Sequence, residues 1–146
     1  MNHQTTLRGS CHCGDVQIEF GTAIASESFT PWACDCSFCL KHGASYISDP
    51  AGHLTIAAKR SNSISEYRQG SKSARFLVCH SCGVLVAVVF DGDAGTYGTV
   101  NSRCIDDKVE FGVPKVVSPQ ELSVEQKRRG WGRLWTPGVR FVVSDA

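Results

Sequence analysis

Cysteine is the residue type in this sequence whose number and spacing point most directly to chemistry. The chain has eight cysteines in 146 residues, and seven of them lie in three clusters. The clusters are Cys11 with Cys13, Cys34 with Cys36 and Cys39, and Cys79 with Cys82. In a reducing compartment, clustered cysteines are metal ligands or catalytic groups more often than disulfides. We therefore treat the clusters as candidate metal sites.

Two of the clusters are pairs of similar design. In GSCHCG, residues 9–14, and in CHSCG, residues 79–83, a glycine follows the second cysteine. A turn that presents two thiolates to one ion often needs a positive φ at this position, which glycine adopts without steric cost. Because zinc prefers four ligands in a tetrahedron, we expect the two pairs to form one closed, structural zinc site. Its ligands would be Cys11, Cys13, Cys79 and Cys82. The alternative is that these are buried apolar cysteines.

The cluster of three cysteines, Cys34, Cys36 and Cys39, is called the second cluster below. It leaves a zinc ion one ligand short. An open coordination position is the feature that separates catalytic from structural zinc. Zinc with three thiolates carries a net charge of about −1, so it activates water weakly and suits a soft sulfur ligand. The triplet therefore predicts a second zinc that accepts a thiol substrate, with the three cysteines acting in the catalytic site as ligands and not as nucleophiles.

Two alternatives concern this second cluster, and a further question concerns the two residues next to it. Cys104 could complete it as a second closed site, since eight cysteines also divide into two sets of four. The cluster could instead serve thiol or redox sensing, because oxidation of zinc-bound thiolates releases the ion. Lys41 and His42, which follow directly, either offset its negative charge or form an ordinary solvated turn.

The elements that must position these clusters are mainly strands. Stretches rich in β-branched and aromatic residues recur between glycine, serine and aspartate. The predicted strands are 15–20, 44–48, 54–57, 63–68, 75–78, 84–90 and 95–100. Val16, Ile18 and Phe20 alternate with polar residues, which predicts one buried face. Residues 84–90 are apolar throughout, which predicts a strand buried on both faces.

One short, peripheral helix is predicted, from Pro119 to Arg129. Ser118 would be its N-cap, Pro119 its first residue, and Glu121 lies three residues after the cap. The rest of 101–146 lacks the strand pattern. Since 146 residues is about the size of one domain, we expect a single domain over 1–146.

Charge limits the partners to be expected. Lysine plus arginine total 15 and aspartate plus glutamate 14, a net charge of +1, which gives no global field to attract nucleic acid or an anionic membrane. KRRGWGRLW, residues 127–135, mixes basic and aromatic residues as single-strand binders do. A tryptophan pair near a terminus more often packs onto its domain, so nucleic acid is not an expected partner.

The first ten residues are polar and the longest apolar run is too short to span a bilayer, so we expect a cytoplasmic protein without a membrane partner.

The cysteine motifs together carry a resemblance. GSCHCGDV at 9–16, CDCSFCLKHG at 34–43 and CHSCGV at 79–84, in this order and at these separations, resemble the glutathione-dependent formaldehyde-activating family, also called the centromere-protein-V-like family. The resemblance is strongest over 9–90, and 101–146 form a divergent tail. It implies a β-tent fold of stacked antiparallel sheets stapled by a structural zinc, with a second zinc on the positions of the triplet, two ions per chain.

The resemblance also implies an activity. The chain would be a carbon–sulfur lyase-type enzyme similar to S-(hydroxymethyl)glutathione synthase, in which a thiol such as glutathione adds to a small aldehyde such as formaldehyde at the second zinc. Residues 113–146 do not match the family's usual ending, so no substrate-binding residue is carried over there. The alternative is a non-catalytic module with two structural zinc ions that recognises a macromolecule.

Overall fold

The computed structural model describes residues 4–144. Within this range the backbone forms eleven strands and two α-helices. The strands are β1 Thr5–Ser10, β2 Val16–Thr22, β3 Trp32–Cys34, β4 Tyr46–Ile47, β5 His53–Ala58, β6 Ile64–Tyr67, β7 Arg75–Cys79, β8 Leu85–Gly92, β9 Gly95–Asn101, β10 Lys115–Val117 and β11 Arg140–Val143. The helices are α1 Ser37–His42 and α2 Val124–Leu134. The protein is therefore mainly β, as the sequence predicted.

The strands form two sheets. The four-stranded sheet has the order β1-β2-β5-β11, and the seven-stranded sheet has the order β10-β3-β4-β9-β8-β7-β6. Most neighbours are antiparallel, as short connections allow. The exceptions among the described strands are β10 with β3 and β11 with β5, which are parallel. β10 and β11 come from the C-terminal part of the chain, so that part contributes one strand to each sheet.

The main core lies between the two sheets. Ile18 and Phe20 of β2 are buried there with Leu77 of β7 and Val86 of β8. Along β2, apolar residues face the core while Gln17 and Glu19 are exposed, so the predicted one-sided burial is confirmed. This arrangement follows from the two-residue period of a strand.

The second face of the seven-stranded sheet is also covered. Leu85, Val88 and Phe90 of β8 point to this face and pack with Trp135 at the end of α2. All residues from Leu85 to Phe90 are buried, which confirms the prediction of a strand buried on both faces. The second face carries α1 and α2, and it is the face on which the three-cysteine cluster lies.

Each of the seven predicted strand segments forms a strand, but the predicted helix starts in the wrong place. Pro119–Glu121 is a single 3-10 turn, and α2 begins at Val124. The Oγ of Ser118 donates to Asp35 and does not cap a helix. Instead the Ser123 Oγ accepts from the Gln126 N–H, and the Gln126 side chain accepts from the Ser123 N–H. This reciprocal capping box satisfies two backbone donors, so the helix starts there.

The C-terminal part of the chain crosses from one sheet to the other. After α2, Thr136 pairs with Gly98 of β9 and its Oγ1 accepts from the backbone N–H of Asp49. A Cβ at Gly98 would lie 2.9 Å from a methyl of Val139 and 3.0 Å from one of Leu54, so this close crossing requires glycine. Over residues 4–144, no helix is long and apolar enough to cross a membrane.

Candidate metal centres and the adjoining cavity

The first cysteine cluster lies where the two sheets meet. Cys11 and Cys13 are in the turn between β1 and β2, Cys79 ends β7, and Cys82 is in the turn between β7 and β8. The four sulfur atoms all lie within 4.8 Å of one another. The Sγ of Cys13 is 3.7 Å from the Sγ of both Cys11 and Cys79. The cluster could hold a metal ion that links the four-stranded sheet to the seven-stranded sheet.

The two turns that supply this cluster share one local geometry. The N–H of Cys11 donates to the carbonyl of Val16, and the N–H of Cys79 donates to the carbonyl of Val84, both at 2.9 Å. Gly14 has a φ of +87° and Gly83 a φ of +80°, as expected from the glycine after each pair. Only glycine adopts this conformation without strain, so the two glycines fix how the sulfur atoms are presented.

The second cluster is built around the start of α1. Cys34 ends β3, Cys36 is the N-cap of α1, and Cys39 lies in its first turn. The Sγ of Cys36 accepts from the N–H of Cys39 at 3.4 Å, so the cap itself brings two ligand candidates together. The three sulfur atoms lie within 4.8 Å of one another and could hold a metal ion.

Hydrogen bonds distribute the negative charge of this cluster. Hydrogen bonding from Cys39 lowers the pKa of Cys34 to about 6, and the same bond together with burial raises the pKa of Cys39. The hydroxyl of Tyr46 lies 3.2 Å from the Sγ of Cys39, and the Nε2 of Gln69 lies 3.8 Å from the Sγ of Cys36. Burial raises the pKa of Tyr46, so its phenol keeps its proton and can donate to the sulfur.

The second cluster opens into a cavity whose lining includes none of the four cysteines of the first cluster. The cavity has a volume of about 100 Å³ and is lined by the three cysteines of the second cluster. Trp32, Trp131 and Trp135 form much of its apolar wall. Ser71 and Lys127 are among its polar lining residues. A ligand in this cavity would lie against the three sulfur atoms.

Several cavity residues come from the segment that the sequence suggested as a weak nucleic-acid motif. Trp131 and Trp135 stack on each other with ring centroids 4.6 Å apart, and both pack against Phe90. Lys127 is 9% exposed and its Nζ donates to the Oγ of Ser71. Lys127, Trp131 and Trp135 follow one another at intervals of four residues, so Lys127 and Trp131 share one face of α2 and Trp135, its C-cap, lies at the end of that face. That spacing is the signal by which the sequence could have indicated this wall.

Other residues near the cysteines in sequence lie elsewhere. Lys41 and His42 are exposed at the end of α1 and do not line the cavity. Cys104 is buried in the core between the sheets, with Cys11 and Cys79, and donates to the carbonyl of Leu85 at 3.4 Å. The structure therefore does not bring Cys104 to the second cluster, and the alternative of a closed site completed by Cys104 is wrong.

Comparison with known proteins adds a family match. A family model described as glutathione-dependent formaldehyde-activating enzyme matches residues 6–121, which contain both cysteine clusters but not α2. A crystal structure of a Rhodobacter sphaeroides protein is similar to this chain, with a TM-score of 0.58 and 25% sequence identity. The similarity covers 76% of this chain and 100% of that chain. No curated protein matches the chain.

Proposed function

Because the chain belongs to the glutathione-dependent formaldehyde-activating family, we propose that it is a zinc-dependent enzyme of the carbon–sulfur lyase type. Its reaction would join a thiol such as glutathione to a small aldehyde such as formaldehyde. The observation that carries the proposal is the difference between the two clusters. The three-cysteine cluster lines a cavity that a small molecule can enter, whereas the four-cysteine cluster joins the sheets.

Zinc is the metal that the donor atoms fit. Zn–S bonds of about 2.3 Å in a tetrahedron place neighbouring sulfur atoms about 3.8 Å apart. The separations of 3.7 Å from Cys13 to Cys11 and to Cys79 agree with that geometry, and thiolates are ligands that zinc prefers. The structural zinc would be held by Cys11, Cys13, Cys79 and Cys82. The second zinc would be held by Cys34, Cys36 and Cys39.

The roles of the residues around the second cluster follow from their positions. Zinc bound to three thiolates would supply a fourth position for a substrate sulfur and lower the pKa of that thiol. With the three cysteines bound to zinc as thiolates, the Tyr46 hydroxyl would donate to the Sγ of Cys39 and disperse the negative charge of the cluster. Trp32, Trp131 and Trp135 give the cavity an apolar wall, which would disfavour water beside a bound substrate.

The proposed reaction is an addition without a change of oxidation state. A carbon–sulfur bond forms between the thiol sulfur and the aldehyde carbon while the carbonyl π bond breaks. The proton lost by the thiol ends on the former carbonyl oxygen, which gives a hydroxyalkyl thioether, and elimination reverses each step. No external oxidant or reductant is needed.

The test is the rate of exchange between free and glutathione-bound formaldehyde, measured by NMR with ¹³C-formaldehyde. We expect the zinc-loaded protein to accelerate the exchange above the uncatalysed rate, and Cys36→Ser to abolish the acceleration. Cys104→Ser is the matched control and should retain it, because Cys104 lies outside the cavity. An uncatalysed rate with the fully loaded wild-type protein would contradict the proposal and favour the non-catalytic zinc-binding module.

A further inference from the structure

Lys127 is a buried cation that lacks an anionic partner in the described part of the chain. Its side chain lines the cavity of the three-cysteine cluster, and its Nζ donates to the neutral Oγ of Ser71 at 2.9 Å. The ion pairs formed among residues 4–144 all involve arginine, and none includes Lys127. An ammonium group has three protons to donate, and Ser71 accepts one of them.

This arrangement is unusual for a residue that serves only the fold. Buried lysines are rare unless an anion accompanies them, because removal from water costs free energy that a counter-ion offsets. The carboxylate of Asp35 accepts from Ser118 and from Gln120, and it forms no ion pair with Lys127. Because Lys127 lines the cavity, an anion bound in the cavity would be within reach of its ammonium group.

The size and lining of the cavity restrict that anion. An engineered cavity of about 150 Å³ holds one benzene molecule, so a cavity of about 100 Å³ admits a small molecule or one arm of a larger one. One ammonium group balances one negative charge, which suits a carboxylate. Trp131 and Trp135 offer apolar surface to the methylene groups that would connect such a carboxylate to a sulfur atom.

We propose that Lys127 binds the carboxylate of the thiol that enters the cavity, so that this site selects small thiols carrying a carboxylate over neutral thiols. The inference rests on the proposed function, because it concerns the same cavity and the same thiol. Lys127 lies in α2, outside the residues 6–121 that match the family model. The residue proposed to select the thiol therefore comes from a different part of the chain than the cysteine clusters.

Intrinsic fluorescence can report on the binding. The chain has three tryptophans, and all three line this cavity. The zinc-loaded full chain would be titrated with 3-mercaptopropionate and with 3-mercaptopropan-1-ol, which differ mainly in the charge at the end opposite to the sulfur. We expect the carboxylate thiol to bind about tenfold or more tightly than the neutral one, as a charge-assisted hydrogen bond allows.

Variants of α2 test whether Lys127 acts through its charge or only through its structural contact. Lys127→Gln should abolish the preference by weakening 3-mercaptopropionate alone, and Lys127→Arg should keep much of it. Arg133→Gln, an exposed position of the same helix, should leave both affinities unchanged. Equal affinities of the wild-type protein for both thiols, or an equal loss for both in Lys127→Gln, would overturn the inference and leave Lys127 as a structural contact to Ser71.

Propionate, which has no sulfur, distinguishes binding of a carboxylate by Lys127 from binding of a thiol at the three-cysteine cluster. If propionate binds to the wild-type protein and not to Lys127→Gln, but 3-mercaptopropionate binds no more tightly than propionate, the anion site stands and the thiol function fails. If both thiols bind with equal affinity and propionate does not bind, the thiol function stands and the role of Lys127 fails. If none of the probes binds, both are rejected.

Discussion

The Sγ of Cys13 lies 3.7 Å from the Sγ of Cys79, although the two residues are 66 positions apart in the chain. Cys13 follows the first strand of the four-stranded sheet, and Cys79 ends a strand of the seven-stranded sheet. A metal ion at this contact would bond to both sheets at once. The free energy of metal binding would then contribute directly to the free energy of folding.

Cys82→Ser is expected to destabilise the protein strongly. The change removes one thiolate from the four-cysteine cluster, and the free energy of unfolding should fall by about 3 kcal/mol or more because structural zinc contributes its binding energy to the fold. Urea unfolding together with metal analysis checks this. Cys104→Ser is the control, and it should keep two zinc ions per chain. An unchanged unfolding midpoint for Cys82→Ser would contradict the structural role of the cluster.

Cys36→Ser is expected to remove one zinc ion and leave the fold intact. Cys36 belongs to the cluster that lines the cavity, and that cluster lies within one sheet and its helix instead of joining the two sheets. Metal analysis should show that the zinc content falls from two ions per chain to one. The circular dichroism spectrum should be like that of the wild-type protein. If Cys36→Ser failed to fold, the separation between a structural and a functional site would be wrong.

Tyr46→Phe is expected to weaken metal binding at the second cluster. The change removes the hydroxyl that lies 3.2 Å from the Sγ of Cys39, and loss of such an outer hydrogen bond reduces metal affinity by about tenfold or more. Competition with a chelator measures the affinity. Tyr97→Phe is the matched control, because the Tyr97 ring stacks on Phe90 and does not line the cavity. Equal affinities for the two variants would show that Tyr46 does not act on the cluster.

Gly83→Ala is expected to cost stability through the backbone. Gly83 has a φ of +80°, and an L-residue in the left-handed region loses roughly 1–2 kcal/mol. Gly130→Ala is the control in α2, where a Cβ would meet no atom within 4 Å, and it should stabilise the helix by about 0.5–1 kcal/mol. Thermal unfolding of both variants in the zinc-loaded state gives the comparison. Similar stability changes in the two variants would count against strain at the turn.

The sequence predicted the elements whose signals are local. The alternation in β2 and the continuous apolar run of β8 indicate strands without knowledge of their neighbours. The grouping of cysteines by spacing matches the two sulfur clusters, and the glycines after each pair have the expected positive φ. Each of these features depends on the preference of a short segment.

The sequence missed four strands: β1 pairs with the adjacent β2, whereas β3, β10 and β11 depend on partners that are distant in the chain. β3 and β10 have three residues each and form a parallel pair, which no local pattern announces. The residues of β11 are all exposed, so no alternation marks that strand. The helix start was misplaced because Ser118 and Ser123 are both plausible caps. Ser118 contacts Asp35 across 83 positions, and only the tertiary structure shows which serine is free to cap.

The clustered cysteines lie at or before residue 82, whereas the part of the cavity wall formed by Lys127, Trp131 and Trp135 comes from a later helix and the residue that caps its end. For protein engineering, this division means that a combinatorial library could randomise these three positions while the codons of all seven clustered cysteines stay unchanged. Library members would differ in the shape and charge of the cavity and would share the same two cysteine clusters.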